Sequence, residues 1–185
     1  MATYRKIIPF ILQAEGGYVN IPADKGGETN KGITWNTWVS FYGDTLASHH
    51  RFLVMMPDDW GQIFKKGFWD KCLADQINDQ LIANTIADWV WCSGQYFPEL
   101  DVQKLINTIF NKHLAEDGLF GPATIVALNE CDQKKLYESL IERRRQYYHD
   151  IVSFAQAKGD HSQDRFLVGW LNRIDNLINY NKQLY

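Results

Sequence analysis

The sequence predicts a mainly α-helical chain with one small β-hairpin lobe near the N-terminus. Three observations carry this. Apolar residues recur at helical spacing over most of the chain, as in Leu81, Ile82, Ile86, Trp89 and Val90. Capping and stopping residues bracket those stretches. Glycine and polar residues crowd one segment, Ala14 to Thr34, where short β-prone runs fall around Tyr18 and Ile33.

Taken in order, Thr3 can cap a helix running to about Glu15, with Ile7, Ile8, Ile11 and Leu12 as its apolar face and Pro9 disturbing its first turns. Gly16 and Gly17 supply the stop. Thr34 caps a helix through about Phe41, and a looser stretch from Gly43 leads to Pro57. Pro57 to Phe68 reads as a helix with Ile63 and Phe64 inward. Asp79 to Ser93 is the most apolar helix and so the most buried, ended by Gly94. Pro98 to His113 is amphipathic, DGLFGP is a turn, and Ala123 to Asn129 is a short helix. Lys134 to Ala157 and Gln163 to the C-terminus are long amphipathic helices. There is no repeat and no low-complexity linker.

The charge balance excludes some partners. Formal net charge is −3, where a nucleic-acid binder carries a basic excess, so no nucleic acid is expected. The one dense basic run, Arg143 to Arg145, reads as a solvated or salt-bridged helix face. Fourteen per cent of the residues are aromatic, enough for a ring-rich core with some rings left to line a groove. The three cysteines form no CxxC, which leaves neither a disulfide framework nor a zinc site, and their apolar neighbours predict buried thiols. No cofactor and no metal is expected. No stretch is long enough to span a membrane, so no membrane insertion is expected. The apolar run IIPFIL is short and broken by Pro9, so it is read as mature protein rather than as a signal peptide. A protein made in the cytoplasm on these terms needs another route, such as a holin or a secretion apparatus, to act outside it.

Glu15 carries the first chemical signal. The C-terminal end of a helix presents unpaired carbonyls, so a carboxylate is unfavourable there and the neutral acid is favoured. A neutral carboxyl can act as a general acid. The plainer alternative is a surface glutamate before a glycine cap. Asp24 and Thr29 shift the balance, because a second carboxylate and a hydroxyl on a loop that folds back complete the set that cleaves a glycosidic bond with a positioned water. Other reaction sets fit less well. GGETNKGIT lacks the GK[ST] order of a phosphate loop, and Ser93 in WCSGQ lacks a GxSxG elbow. Tyr18 and Asn20 follow the acid and Gln95 follows the central helix, so each is a candidate substrate contact. Trp35 and Trp91 are candidate stacking platforms, with core packing as the alternative for both.

EGGYVN followed by D-x-GG-x-T-x-x-GIT resembles the start of glycoside hydrolase family 108, a group of bacterial and phage N-acetylmuramidases. ADWVWCSG, with Asp88 and Gly94, resembles that family's central helix. VQKLIN, DGLFGPAT and ALN resemble its C-terminal peptidoglycan-binding segment, and GWLNR resembles its closing motif. The resemblance implies a lysozyme-like fold, with residues 1–95 as a catalytic region and 96–185 as a helical peptidoglycan-binding region packed on it as one unit. It implies hydrolysis of the β-1,4 bond after N-acetylmuramic acid in peptidoglycan glycan strands. Glu15 matches the family's catalytic glutamate, and the order glutamate, aspartate, threonine resembles that of phage lysozymes, which carries Asp24 and Thr29 over. The sequence departs from the family at Lys31, where an aromatic residue is usual, and at Cys92-Ser93. The alternative is a non-catalytic wall-binding or secretion-assisting protein on the same scaffold.

Overall fold

The structure is a computed structural model and describes residues 1–20 and 27–184. Among these it contains nine α-helices and one two-stranded antiparallel hairpin. The chain divides into two units, one of Tyr4–Asp70 and one of Met1–Thr3 with Lys71–Tyr185.

In the first unit a 3₁₀ turn, Tyr4–Lys6, precedes α1 (Ile8–Ala14). Pro9 sits in the first turn of α1, where a missing N–H costs no intrahelical bond. The expected helix from Thr3 is thereby split in two. The hairpin pairs β1 (Thr29–Asn30) with β2 (Ile33–Thr34). Thr34 then caps α2 (Trp35–Tyr42), its hydroxyl accepting from the Thr37 N–H at 3.2 Å. The stretch after Gly43, expected to be loose, forms α3 (Leu46–Val54), capped by Thr45 accepting from the Ser48 N–H at 3.0 Å. Only Ser48 and Phe52 of α3 are buried, so its apolar periodicity is too sparse to read. α4 (Pro57–Phe64) gives way at Lys65 to a π-helical turn, Lys65–Trp69, rather than continuing to Phe68 as an α-helix. Trp38, Phe52, Trp60, Phe64 and Trp69 are fully buried and form the core of this unit.

The second unit is built on α5 (Gln80–Ser93). Asp79 caps it, accepting from the N–H groups of Leu81 and Ile82 at 2.8 and 3.0 Å. Every residue from Ile82 to Val90 is buried, because α6 (Tyr96–Phe110), α8 (Gln133–Gln156) and α9 (Asp164–Asn181) pack around it. Asp88 lies in that buried stretch. Its carboxylate takes Arg144 Nη2 of α8 at 2.8 Å on one oxygen and Arg173 Nη2 of α9 at 2.8 Å on the other. Burial pushes the Asp88 carboxyl up, but the two guanidinium groups outweigh it and hold the group below its ordinary value.

The basic run is thus three different environments. Arg143 pairs with Asp101 and Asp150 at 3.0 Å each, and Arg145 pairs with Asp175 on α9. Arg144, expected on a solvated face, is fully buried, since neighbours on a helix point about 100° apart. The thiols also differ from expectation. Cys72 and Cys131 are buried, but Cys92 is exposed, because it follows the buried stretch in the last turn of α5.

DGLFGP is a turn, held from α6. The Gln103 side-chain oxygen accepts from the N–H groups of Asp117 and Gly118 at 3.1 and 2.9 Å. Gly118 has φ +69°, and a Cβ there would stand 2.6 Å from the Tyr96 ring, so only glycine fits. Glu99 is buried and accepts from the Phe120 N–H at 2.7 Å. Burial raises its carboxyl to about 7, against the opposing pull of that N–H and of Gln95. α7 (Pro122–Glu130) follows, with Thr124 buried in its first turn.

Two outcomes follow. Asp88→Ala strands two guanidinium groups and is expected to cost about 3–5 kcal/mol in urea unfolding. In the parent chain the stability from Asp88 is present above about pH 3.9 and is lost as pH falls through its lower folded value. Glu99 has the opposite sign: folding favours its protonated form, so stability falls as pH rises from about 4.3 through about 7. Glu99→Gln, which keeps an acceptor for Phe120, is expected to raise the melting temperature relative to the parent more at pH 8 than at pH 5.

Candidate active site

Glu15 caps the C-terminal end of α1 in extended conformation (φ −86°, ψ 142°), and its N–H donates to the Ile11 carbonyl at 3.1 Å. Its side chain is half-buried, while Gly16 and Gly17 beside it are exposed. Among the described residues, a Cβ added to either glycine would meet nothing within 4 Å.

From Glu15 the chain reaches Val19, which exchanges both backbone hydrogen bonds with Thr29 at 2.8 Å each. Four residues span at most about 14 Å, so this bridge confines Thr29 to the neighbourhood of the α1 end. Thr29 then pairs with Thr34, and Asn30 with Ile33. The two turn residues, Lys31 and Gly32, have φ of +48° and +78°, the left-handed pair that a tight type I′ hairpin requires. Lysine is costly there. It is held by two contacts: Nζ donates to the Met55 carbonyl at the end of α3 at 2.7 Å, and its own carbonyl accepts from Trp60 Nε1 at 2.9 Å. A cation at the negative end of α3 is favourable. Buried Asn30 adds two more bonds to the same helix end, donating to the Phe52 and Leu53 carbonyls at 2.7 and 3.1 Å. The position where the family resemblance expects an aromatic residue is thus an anchor for the hairpin.

A second cluster was not legible in the sequence. Glu28 Oε2 accepts from the Tyr18 hydroxyl at 3.2 Å and meets His49 Nε2 at 2.7 Å. The Glu28 carbonyl accepts from the Trp35 N–H at 2.8 Å. The Trp35 ring stands edge-on to His49, centroids 4.9 Å apart, and to Phe52 at 5.3 Å. Tyr18 and Trp35, expected as substrate contacts, therefore belong to one aromatic and polar cluster around Glu28. Pairing across 21 residues leaves no spacing signal, and His49 beside His50 has no ligand-like pattern.

Of the other residues named from sequence, Asn20 is exposed, and Asp24 lies outside the described residues. Trp91 and Gln95 belong to the other unit. Trp91 is half-buried on α5, and Gln95 stands at the start of α6 beside Glu99. Among the described residues no group of three or more His, Cys, Asp and Glu could hold a metal ion, and no helix is long and apolar enough to cross a membrane.

Residues 8–94, from α1 through the hairpin to the end of α5, match the family described as Glycosyl hydrolase 108. Residues 101–175 match a family described as a Predicted Peptidoglycan domain. The pairing marks a lysozyme-like protein that acts on peptidoglycan. A solved structure of Brucella abortus SagA is similar in fold, with a TM-score of 0.69 at 23% identity over 97% of this chain and 94% of that one. No curated protein matches the chain significantly.

Asn30→Ala would leave the Phe52 and Leu53 carbonyls without their buried donor. The expected cost is about 1–3 kcal/mol in urea unfolding, with tryptophan fluorescence reporting an early loss of the Tyr4–Asp70 core.

Proposed function

We propose that this protein is an N-acetylmuramidase, hydrolysing the β-1,4 bond between N-acetylmuramic acid and N-acetylglucosamine, with Glu15 as general acid. The observation that carries the reading is the half-buried carboxyl at the C-terminal end of α1, tied through the Val19–Thr29 bridge to a glycine-turned hairpin. It lies within the segment matched to a glycoside hydrolase family.

Glu15 protonates the glycosidic oxygen as the bond to the anomeric carbon breaks. Asp24 takes a proton from the attacking water, and the Thr29 hydroxyl orients that water. Inversion follows if the two carboxyl groups stand about 6.5–9.5 Å apart, leaving room for the water. Glu28 is the competing carboxylate on the same segment. Its hydrogen bonds to Tyr18 and His49 already commit it to holding the loop, which favours Asp24 as the base. On this reading residues 1–95 carry the chemistry and 96–185 hold the wall. A non-catalytic wall-binding protein is the second reading, favoured by the peptidoglycan-domain match alone.

Release of reducing sugar from purified peptidoglycan separates them. Glu15→Gln and Asp24→Asn are each expected to lower the rate by about 10²–10⁴-fold. Glu28→Gln is expected to lower it by less than about tenfold, with a lower melting temperature. Equal rates for Glu15→Gln and the parent would remove the acid from the mechanism. No sugar release by the parent, with binding intact, would leave the wall-binding reading.

A further inference from the structure

Helices α6 and α8 pack together, yet their outer faces leave two open hollows of about 630 and 650 Å³. Both are lined by Asp101, Lys104 and Arg143, so they adjoin across one ridge and form a single two-lobed groove. One lobe is aromatic. Phe97 and Phe154 line it while 56% and 64% exposed, and half-buried Tyr147 completes it. Lys158 Nζ lies 3.9 Å from the centroid of the Phe154 ring. The other lobe is mixed, setting Thr108, Ser139, Glu142 and Gln146 beside the apolar Leu105 and Ile109. On the ridge Arg143 is held between Asp101 and Asp150 at 3.0 Å each.

We infer that this groove is a glycan-holding site that takes a stretch of peptidoglycan glycan strand, its sugar rings against Phe97, Tyr147 and Phe154 and its hydroxyl and acetamide groups on the Asp101–Arg143–Asp150 ridge.

Three features select that occupant. Large rings left in water beside a hollow mark a binding surface, and flat rings suit the apolar face of a sugar. The two lobes in line suit an extended polymer rather than one compact small molecule. The charged lining is nearly balanced, with Lys104 and Arg143 against Asp101, Glu142 and Asp150, so it offers fixed donors and acceptors with little net field. A polyanion such as nucleic acid needs a basic surface, which is absent here. A hydroxyl-rich polymer of low charge density does not. The groove is built from α6 and α8 alone, mostly within the segment matched to a predicted peptidoglycan domain. The proposal rests on the peptidoglycan reading but not on Glu15 catalysis.

The test uses the full chain carrying Glu15→Gln, so that binding is read without cleavage, and peptide-free glycan strands released from sacculi by an amidase. Titration calorimetry is expected to show binding that Phe97→Ala with Phe154→Ala weakens about tenfold. Replacing both with tyrosine is expected to restore it. Both rings are exposed, so the melting temperature is expected to stay unchanged, and raising salt to about 0.2 M is expected to weaken binding less than about threefold. Equal affinity in the alanine variant overturns the proposal. So does binding to intact sacculi without binding to peptide-free strands, which would make the stem peptide the ligand. If the variants behave as expected while the parent with Glu15 releases no sugar, the groove stands and the catalytic reading falls. If the parent releases sugar and the alanine variant binds unchanged, the groove alone falls.

Discussion

The Tyr4–Asp70 unit depends on a pair of backbone hydrogen bonds between Val19 and Thr29. They join the segment leaving Glu15 to the hairpin by its backbone, with the Tyr18–Glu28 hydrogen bond beside them, and so keep Thr29 near the end of α1. Two backbone hydrogen bonds alone contribute little net stability. The hairpin therefore needs a base. Asn30 and Lys31 provide it, placing three side-chain hydrogen bonds on the carbonyl end of α3, while Trp60 holds the turn from α4. A lysine in left-handed conformation persists because the surrounding contacts over-determine it.

The second unit is organised by a different constraint. One buried carboxylate, Asp88, faces guanidinium groups from two other helices, so α5, α8 and α9 can assemble only in the arrangement that closes all three charges. Such a triad contributes less net stability than an apolar core of the same volume. Its effect is to penalise every alternative packing, since any slip leaves a charge buried and alone. This explains why ADWVWCSG and GWLNR, distant in sequence, both read as motifs: Asp88 of the first binds Arg173 of the second. Their signal is architectural rather than chemical.

Much of this was legible in the sequence, and the reasons are local. Thr34 and Asp79 announce their helices because capping uses neighbouring residues. The stretch from Ile82 to Val90 announces burial by its composition. α3 escaped because only Phe52 and Ser48 turn inward, and the split at Pro9 and the π turn after Phe64 escaped because helix ends depend on what packs against them. Of the candidate site, the position of Glu15 at a helix end was legible from the two glycines that follow it. Glu28 with Tyr18 and His49 was not, because contacts across the hairpin and α3 leave no periodic trace.

An enzyme acting on an insoluble polymer faces two physical problems, and on the proposed reading this chain separates them by residue type. Breaking the bond needs few groups held closely, and glycine turns that let backbone approach substrate serve that end in the N-terminal unit. Staying on the polymer needs area and tolerance rather than placement. In the proposed groove, exposed rings with a charge-balanced ridge on α6 and α8 would serve that end, since stacking accepts any sugar and balanced charge would leave the enzyme free to dissociate and move. Long-range attraction would work against such an enzyme: a strongly basic protein would be held wherever the wall is most anionic, whatever bond lay there. A net charge of −3 removes that trap. On that reading two modest contacts on one chain would reinforce each other through effective concentration, and neither would have to be tight enough to halt turnover.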